Sequence, residues 1–247
     1  MPTLYTTAVQ PVHTREVHMS TTDPATAATQ IDLALPEFSG VDAEVWTFTV
    51  AKVSGDMYEG VLHDGRDAIV PNSEVPSALR IQTGASFPVS LMLDGTRPVM
   101  SAARAELVAA LYAGVAPEVR NGDVRIVAVA RIPGVRSKVA VAATRDGIDP
   151  VAACVGREAS RVTYISKLLG GERIDVVPYH QDLNVFVANC MAPASVTSVQ
   201  VKDGRIEVAV PAHQMPAAVG GGGLNSHLAG ELVGYPIDVV QAPSRAE

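Results

Sequence analysis

Aromatic side chains are scarce in this chain: 4% of its 247 residues, with a single tryptophan. Any core must therefore be aliphatic, and the 47% hydrophobic content supplies it. Cysteine is nearly absent. Cys154 and Cys190 stand in apolar surroundings without a CxxC partner, so they read as buried free thiols rather than a disulfide. No apolar run reaches the roughly 18 residues of a membrane-crossing helix. The N-terminus lacks a basic segment followed by an apolar one. A cytoplasmic protein with no membrane partner is expected. An excess of positive charge is also missing. The net charge is −7, which argues against a strongly basic nucleic-acid binder. Residues 1–100 carry five basic and twelve acidic side chains, the whole of that excess, and the remainder balances. An anionic partner would meet the second part more readily.

What is present falls into three patterns. Residues 1–40, rich in Thr, Ala, Pro and Gln, show no sustained periodicity and read as a disordered segment. Met19, just before "STTDP", is an alternative start. Residues 41–103 hold five short alternating runs: "VWTFTVAKV" (45–53), "MYEGVL" (57–62), "DAIVP" (67–71), "FPVSLML" (87–93) and "PVMSA" (98–102). Turn residues separate them, as expected of a small OB-type barrel or an SH3-like one.

From Arg104 the period becomes helical, and one order of elements then occurs twice. A helix (104–113) leads to strands 123–131 and 137–144, a short helix near Val151–Val155, a turn at Gly156–Ala159, helix Ser160–Leu169 and strand 173–178. The second copy runs through helix 182–191, strands 195–201 and 205–210, a short helix near His213–Val219, the turn Gly220–Gly223, helix Leu224–Val233 and strand 236–240. "LLGGERIDVV" (168–177) echoes "LVGYPIDVV" (232–240). This is a duplicated α-β-β-α-α-β unit of roughly 65–70 residues. The domains are expected at 104–180 and 181–241, with 242–247 as a tail.

Four consecutive glycines, Gly220 to Gly223, between two helices need a reason, since glycine is costly to order. A short helix, a Gly-x-x-Gly turn and a second helix form the KH clamp for single-stranded nucleic acid. Without Cβ atoms the sugar-phosphate backbone can lie close, and the next helix offers free N–H groups to phosphate. The first copy has Gly156-Arg157-Glu158-Ala159 in the same place.

The strings "AELVAALYAGVAPEVRNGDVRIVAVARIPGVRSKVAVAA" (105–143), "IDPVAACVGREASRV" (148–162), "LLGGERIDVV" (168–177), "NCMAPASVTSV" (189–199) and "VAVPAHQMPAAVGGGGLNSHLAGELVGYPIDVV" (208–240) resemble the NusA family of bacterial transcription termination/antitermination factors. The resemblance spans about Val45 to Val240 and covers the family's RNA-binding part. It implies an α+β, multidomain chain: a five-stranded OB-type barrel of the S-one kind followed by two type II KH domains. It also implies binding of nascent single-stranded RNA, effects on elongation, termination or antitermination, RNA polymerase or other transcription factors as partners, no catalysis, no cofactor and no metal. The family's N-terminal polymerase-binding domain has no counterpart in residues 1–44, so a shortened paralogue is expected.

The departures from the family pattern remove several phosphate-facing positive charges. Glu158 and Ala159 replace Arg and Gly in the first loop, Gly221 replaces Lys in the second, His227 stands for Arg, and Ala102 for an Arg after Ser101. Each lost phosphate contact lowers affinity and flattens its salt dependence. A second reading follows: a degenerate paralogue that has lost RNA binding and regulates transcription through protein contacts.

The RNA-contact residues expected are Gly156, Arg157 and Arg161 around the first loop, and Gly220, Gly221, Gly222, Gly223 and Asn225 around the second. Arg131, Arg136 and Lys138 are expected as a basic edge or a solvated hairpin. Asn225 either bonds a base or caps its helix. Trp46 and Phe48, two apart on one strand, are either a stacking platform or core. His180, His213 and His227 lack metal-ligand spacing, and Ser160 and Cys154 lack a paired base.

Overall fold

The computed structural model describes residues 43–94 and 97–243. The expected disordered segment, and residues 244–247 of the tail, lie outside these. The described residues form two compact units divided between Tyr179 and His180.

In the first unit, five strands form one antiparallel sheet: β1 (Val45–Ser54), β2 (Met57–Leu62), β3 (Asp67–Pro71), β4 (Ser86–Asp94) and β5 (Arg97–Ser101), in the order β3-β2-β1-β4-β5. The two edge strands approach each other, so the sheet nearly closes into an OB-type barrel. The Ala102 N–H donates to Glu74 O at 2.8 Å, tying the end of β5 to the 3-10 turn after β3. Alternation sends Phe48, Val50, Leu62, Val70, Phe87 and Val89 inward. Phe48 tilts against Phe87 with ring centroids 5.5 Å apart. Its ring passes over β2, where a Cβ on Gly60 would lie 2.8 Å from Phe48 Cζ. Phe48 is therefore core, and Trp46 packs partly buried against that core with Arg66 over its ring, 5.8 Å from the centroid.

Helix α1 (Ala105–Val115) buries Leu107, Val108, Leu111 and Tyr112 along one face. A short α2 (Pro117–Arg120) follows, then β6 (Val124–Ile132), β7 (Arg136–Ala143), α3 (Pro150–Val155), α4 (Ser160–Leu168) and β8 (Arg173–Pro178). β6 and β7 are antiparallel; β7 and β8 are parallel, with α3 and α4 as the crossover. The second unit repeats this plan with α5 (Leu183–Cys190), β9 (Ser198–Lys202), β10 (Arg205–Val210), α6 (Met215–Val219), α7 (Leu224–Val233) and β11 (Ile237–Gln241). Again the hairpin is antiparallel and the crossover pair, β10 and β11, parallel. Both copies keep the α-β-β-α-α-β order that the duplicated pattern predicts, and with it the type II KH plan that the family resemblance implies.

The barrel and the first KH sheet share one core. Polar ties reinforce it. Arg104 pairs with Glu74 (2.8 Å), and the Arg131 guanidinium donates to Arg104 O (2.6 Å). Burial pushes the Glu74 carboxyl up, but hydrogen bonds from Arg104 and Ser101 outweigh it and hold the group below its usual range. The strand connection after β3 packs closely too: a Cβ on Gly170 would lie 2.2 Å from Leu79 Cδ2.

Candidate nucleic-acid interface

Of the helices in the two KH domains, α3 and α5 start on an aspartate cap, while α1, α4, α6 and α7 have no side-chain cap. Asp149 caps α3 by accepting from the Val151 and Ala152 N–H groups at 2.9 and 3.0 Å. Asp182 caps α5 in the same way. By contrast, α4 and α7 begin after Ala159 and Gly223, and neither start has a side-chain cap. The first N–H of each is taken up by its own loop, Ser160 to Arg157 O and Leu224 to Gly221 O, while the helix dipole still favours negative charge at that end.

The loops before them share one construction. Each starts on a glycine with positive φ, Gly156 or Gly220. Each is closed by an N–H of its last residue to that glycine's carbonyl, Ala159 to Gly156 and Gly223 to Gly220, both at 3.1 Å. In the second loop the space above Gly221, Gly222 and Gly223 is open: a Cβ built on any of them meets nothing within 4 Å. A ligand backbone can approach there without a side chain between.

Charge separates the two loops. At the first, Arg157 and Glu158 are both exposed. Arg161, expected to reach phosphate, is instead used internally: its guanidinium donates to Glu118 (2.7 Å) and to Ala153 O. At the second, the segment 206–243 contains no Lys or Arg at all, and His213 and His227 are exposed. An anion at this loop would meet backbone and no Lys or Arg of its own segment.

Other expected contacts are corrected by the structure. Arg131 has a side chain 2% exposed, bidentate to Glu172, whose own side chain is fully buried. Glu172 also accepts from Ser137 Oγ (2.6 Å) and the Gly134 N–H (2.7 Å). Lys138 is fully buried and pairs with Asp175 at 3.3 Å, and Arg136 holds the same carboxylate at 2.6 Å. The basic edge is thus an internal charge network. The carboxylates that neutralise it come from the next crossover, thirty or more residues on, beyond the reach of local pattern reading. Asn225 neither caps α7 nor faces a base. It is 1% exposed, and its Nδ2 donates to Met191 O and Ala218 O, both at 3.1 Å.

Both cysteines are buried, and neither is in a disulfide. Burial pushes the Cys154 thiol up to about 12, which keeps it protonated near neutrality. Among the described residues no cluster of three or more His, Cys, Asp or Glu could hold a metal ion. None of the described helices is long and apolar enough to cross a membrane.

Comparison with known proteins follows the same division. Residues 102–179 match the model of the NusA-like first KH domain, and residues 183–247 that of the NusA-like second KH domain. The chain carries the tandem KH unit of the NusA family. It is 32% identical over 215 residues to the transcription termination/antitermination protein NusA of Thermus thermophilus, covering 83% of this chain and 55% of that protein. It is 41% identical over 158 residues to NusA of Mycobacterium tuberculosis, covering 62% of this chain and 46% of that one. The chain spans about half the length of these NusA relatives. A solved chain titled "Crystal structure of APE1850" matches at 24% identity and a TM-score of 0.39, covering 53% of this chain and 95% of that one.

Proposed function

We propose that this NusA-like chain is an RNA-binding transcription factor that holds single-stranded nascent RNA and acts on elongation, termination or antitermination. The observation that carries this reading is the Gly220–Gly223 loop: an open, Cβ-free backbone that runs into the uncapped start of α7. Phosphate lies against that open backbone at the positive end of the α7 dipole, and the bases lie over the adjacent strand. In the first domain Gly156 and Arg157 make the corresponding contact, with Glu158 weakening it. RNA polymerase or other transcription factors are the protein partners; the chain works in the cytoplasm, without a cofactor and without catalysis.

A second reading has its own support. All three cations of the supposed basic edge are ion-paired, and segment 206–243 lacks Lys and Arg. These facts favour a paralogue that regulates through protein contacts alone. Titration with a single-stranded RNA ladder at low and moderate salt separates the two. Affinity that falls as salt rises supports RNA binding; no affinity at low salt leaves the protein-contact reading.

A further inference from the structure

In each KH domain the residue five places after the first loop glycine turns back beneath the loop. In the first domain it is Arg161. A Cβ on Gly156 would lie 2.7 Å from Arg161 Cγ and 2.9 Å from its backbone N. In the second it is Asn225, which would stand 2.8 Å (backbone N) and 2.9 Å (Cβ) from a Cβ on Gly220. Both side chains then donate to a carbonyl of the short helix before the loop: Arg161 to Ala153 O in α3, Asn225 to Ala218 O in α6. Each also reaches a third segment, Glu118 in α2 or Met191 after α5. The chemistry differs, an ion pair in one domain and a neutral amide in the other, but the linkage is the same.

We infer that Arg161 and Asn225 are positioning residues, which fix the spacing of the two helices that flank each loop and so fix where the loop amides stand. Asn225 shows what is being selected. Its Oδ1 is buried with no hydrogen-bond partner, a costly arrangement. Turning the amide over would set Oδ1 against two carbonyl oxygens, so the side chain is held by its two donations. Preorganised donors bind an anion without first having to be ordered, which is how a loop without cations retains affinity. That consequence rests on the RNA-binding reading; the ordering of the loop does not.

The test uses the whole chain and three variants: Asn225→Ala, Asn225→Ser, which keeps one hydroxyl donor, and Val208→Ala, which opens the core of β10 away from the loop. Amide hydrogen exchange is followed at Gly220, Gly223 and Leu224 and along β10, with the Kd for a single-stranded RNA measured beside it. Asn225→Ala should speed exchange at the loop amides about tenfold while β10 keeps its protection, and should raise the RNA Kd by a similar factor. Asn225→Ser should fall between parent and Asn225→Ala, and it carries the test if the alanine variant does not fold. Val208→Ala should loosen β10 and leave the loop and the Kd near parental values. The inference is overturned if Asn225 variants leave the loop amides unchanged, or if Val208→Ala loosens loop and strand just as they do. A parent that binds no RNA sinks the functional reading alone, because the exchange data still decide whether Asn225 positions the loop.

Discussion

Gly156 and Gly220 hold the same backbone conformation, φ 76° and ψ 166° against φ 75° and ψ 165°. The residues after them follow suit. Glu158 (φ 51°, ψ 35°) and Ala159 (φ 58°, ψ 24°) take the left-handed angles that Gly222 (φ 63°, ψ 20°) and Gly223 (φ 80°, ψ 7°) take in the second loop. The first loop therefore keeps its shape without the residues that suit it.

That mismatch sets the first prediction. A left-handed non-glycine residue costs roughly 1–2 kcal/mol, and glycine gives part of this back through a freer unfolded chain. Glu158→Gly and Ala159→Gly should each stabilise the first unit by about 0.5–1 kcal/mol in urea denaturation. Loss of stability in either variant would show that the side chains make contacts that outweigh the strain.

Gly221 is the one position in its loop with room for a side chain and no positive φ. Gly221→Lys should fold normally and tighten RNA binding. It should steepen the log–log salt dependence by about 0.7 for one added phosphate contact on a single strand. Gly222→Asp places a carboxylate, in a left-handed conformation, where phosphate is expected, and should abolish binding. If both variants bind as the parent does, RNA does not cross this loop.

How much of this the sequence disclosed depends on the range of the interaction. Strand alternation and helical period placed the five barrel strands and both crossovers to within a few residues, because burial on one face repeats locally. The glycine turns were legible for the same reason. Arg131, Lys138 and Arg161 read as available cations in the sequence because their partners Glu172, Asp175 and Glu118 come from other elements; a cation shows its sign in the sequence but not its neighbour. Asn225 reads as a cap or a base contact because asparagine at the start of a helical run commonly caps. Gly223 holds that place instead, and the side chain turns inward.

Arg161 and Glu118 make the first loop's linkage sensitive to acid. The Glu118 carboxyl lies below its usual range: a hydrogen bond from its own backbone N–H lowers it most, burial opposes, and the hydrogen bond and charge of the Arg161 guanidinium add to the lowering. A carboxyl lowered by folding stabilises the protein above its unfolded pKa, and that stability is lost as pH falls through the folded value. The difference in stability between parent and Glu118→Gln should therefore be constant above about pH 5 and shrink below about pH 4.5. Denaturation at stepped pH measures it; a difference that persists undiminished at pH 3 would mean the pair contributes nothing through its charge.

The Arg131–Glu172 pair offers the sharpest test of how the first unit holds together. Both side chains are almost wholly removed from water, and Arg131 also bonds the Arg104 carbonyl, next to the Arg104–Glu74 pair at the barrel end. Arg131→Ala leaves the Glu172 carboxylate buried beside only Ser137 and the Gly134 N–H, and breaking such a pair costs about 3–5 kcal/mol. The one tryptophan of the chain, Trp46, sits in the barrel, so its fluorescence reports barrel unfolding directly. Because the barrel and the first KH sheet share a core, Arg131→Ala should shift the Trp46 transition and the far-ultraviolet transition of that KH domain together, to the same lower denaturant midpoint. A Trp46 midpoint that stays at the parental value while the KH signal moves would make the barrel an independent folding unit and its shared core energetically slight.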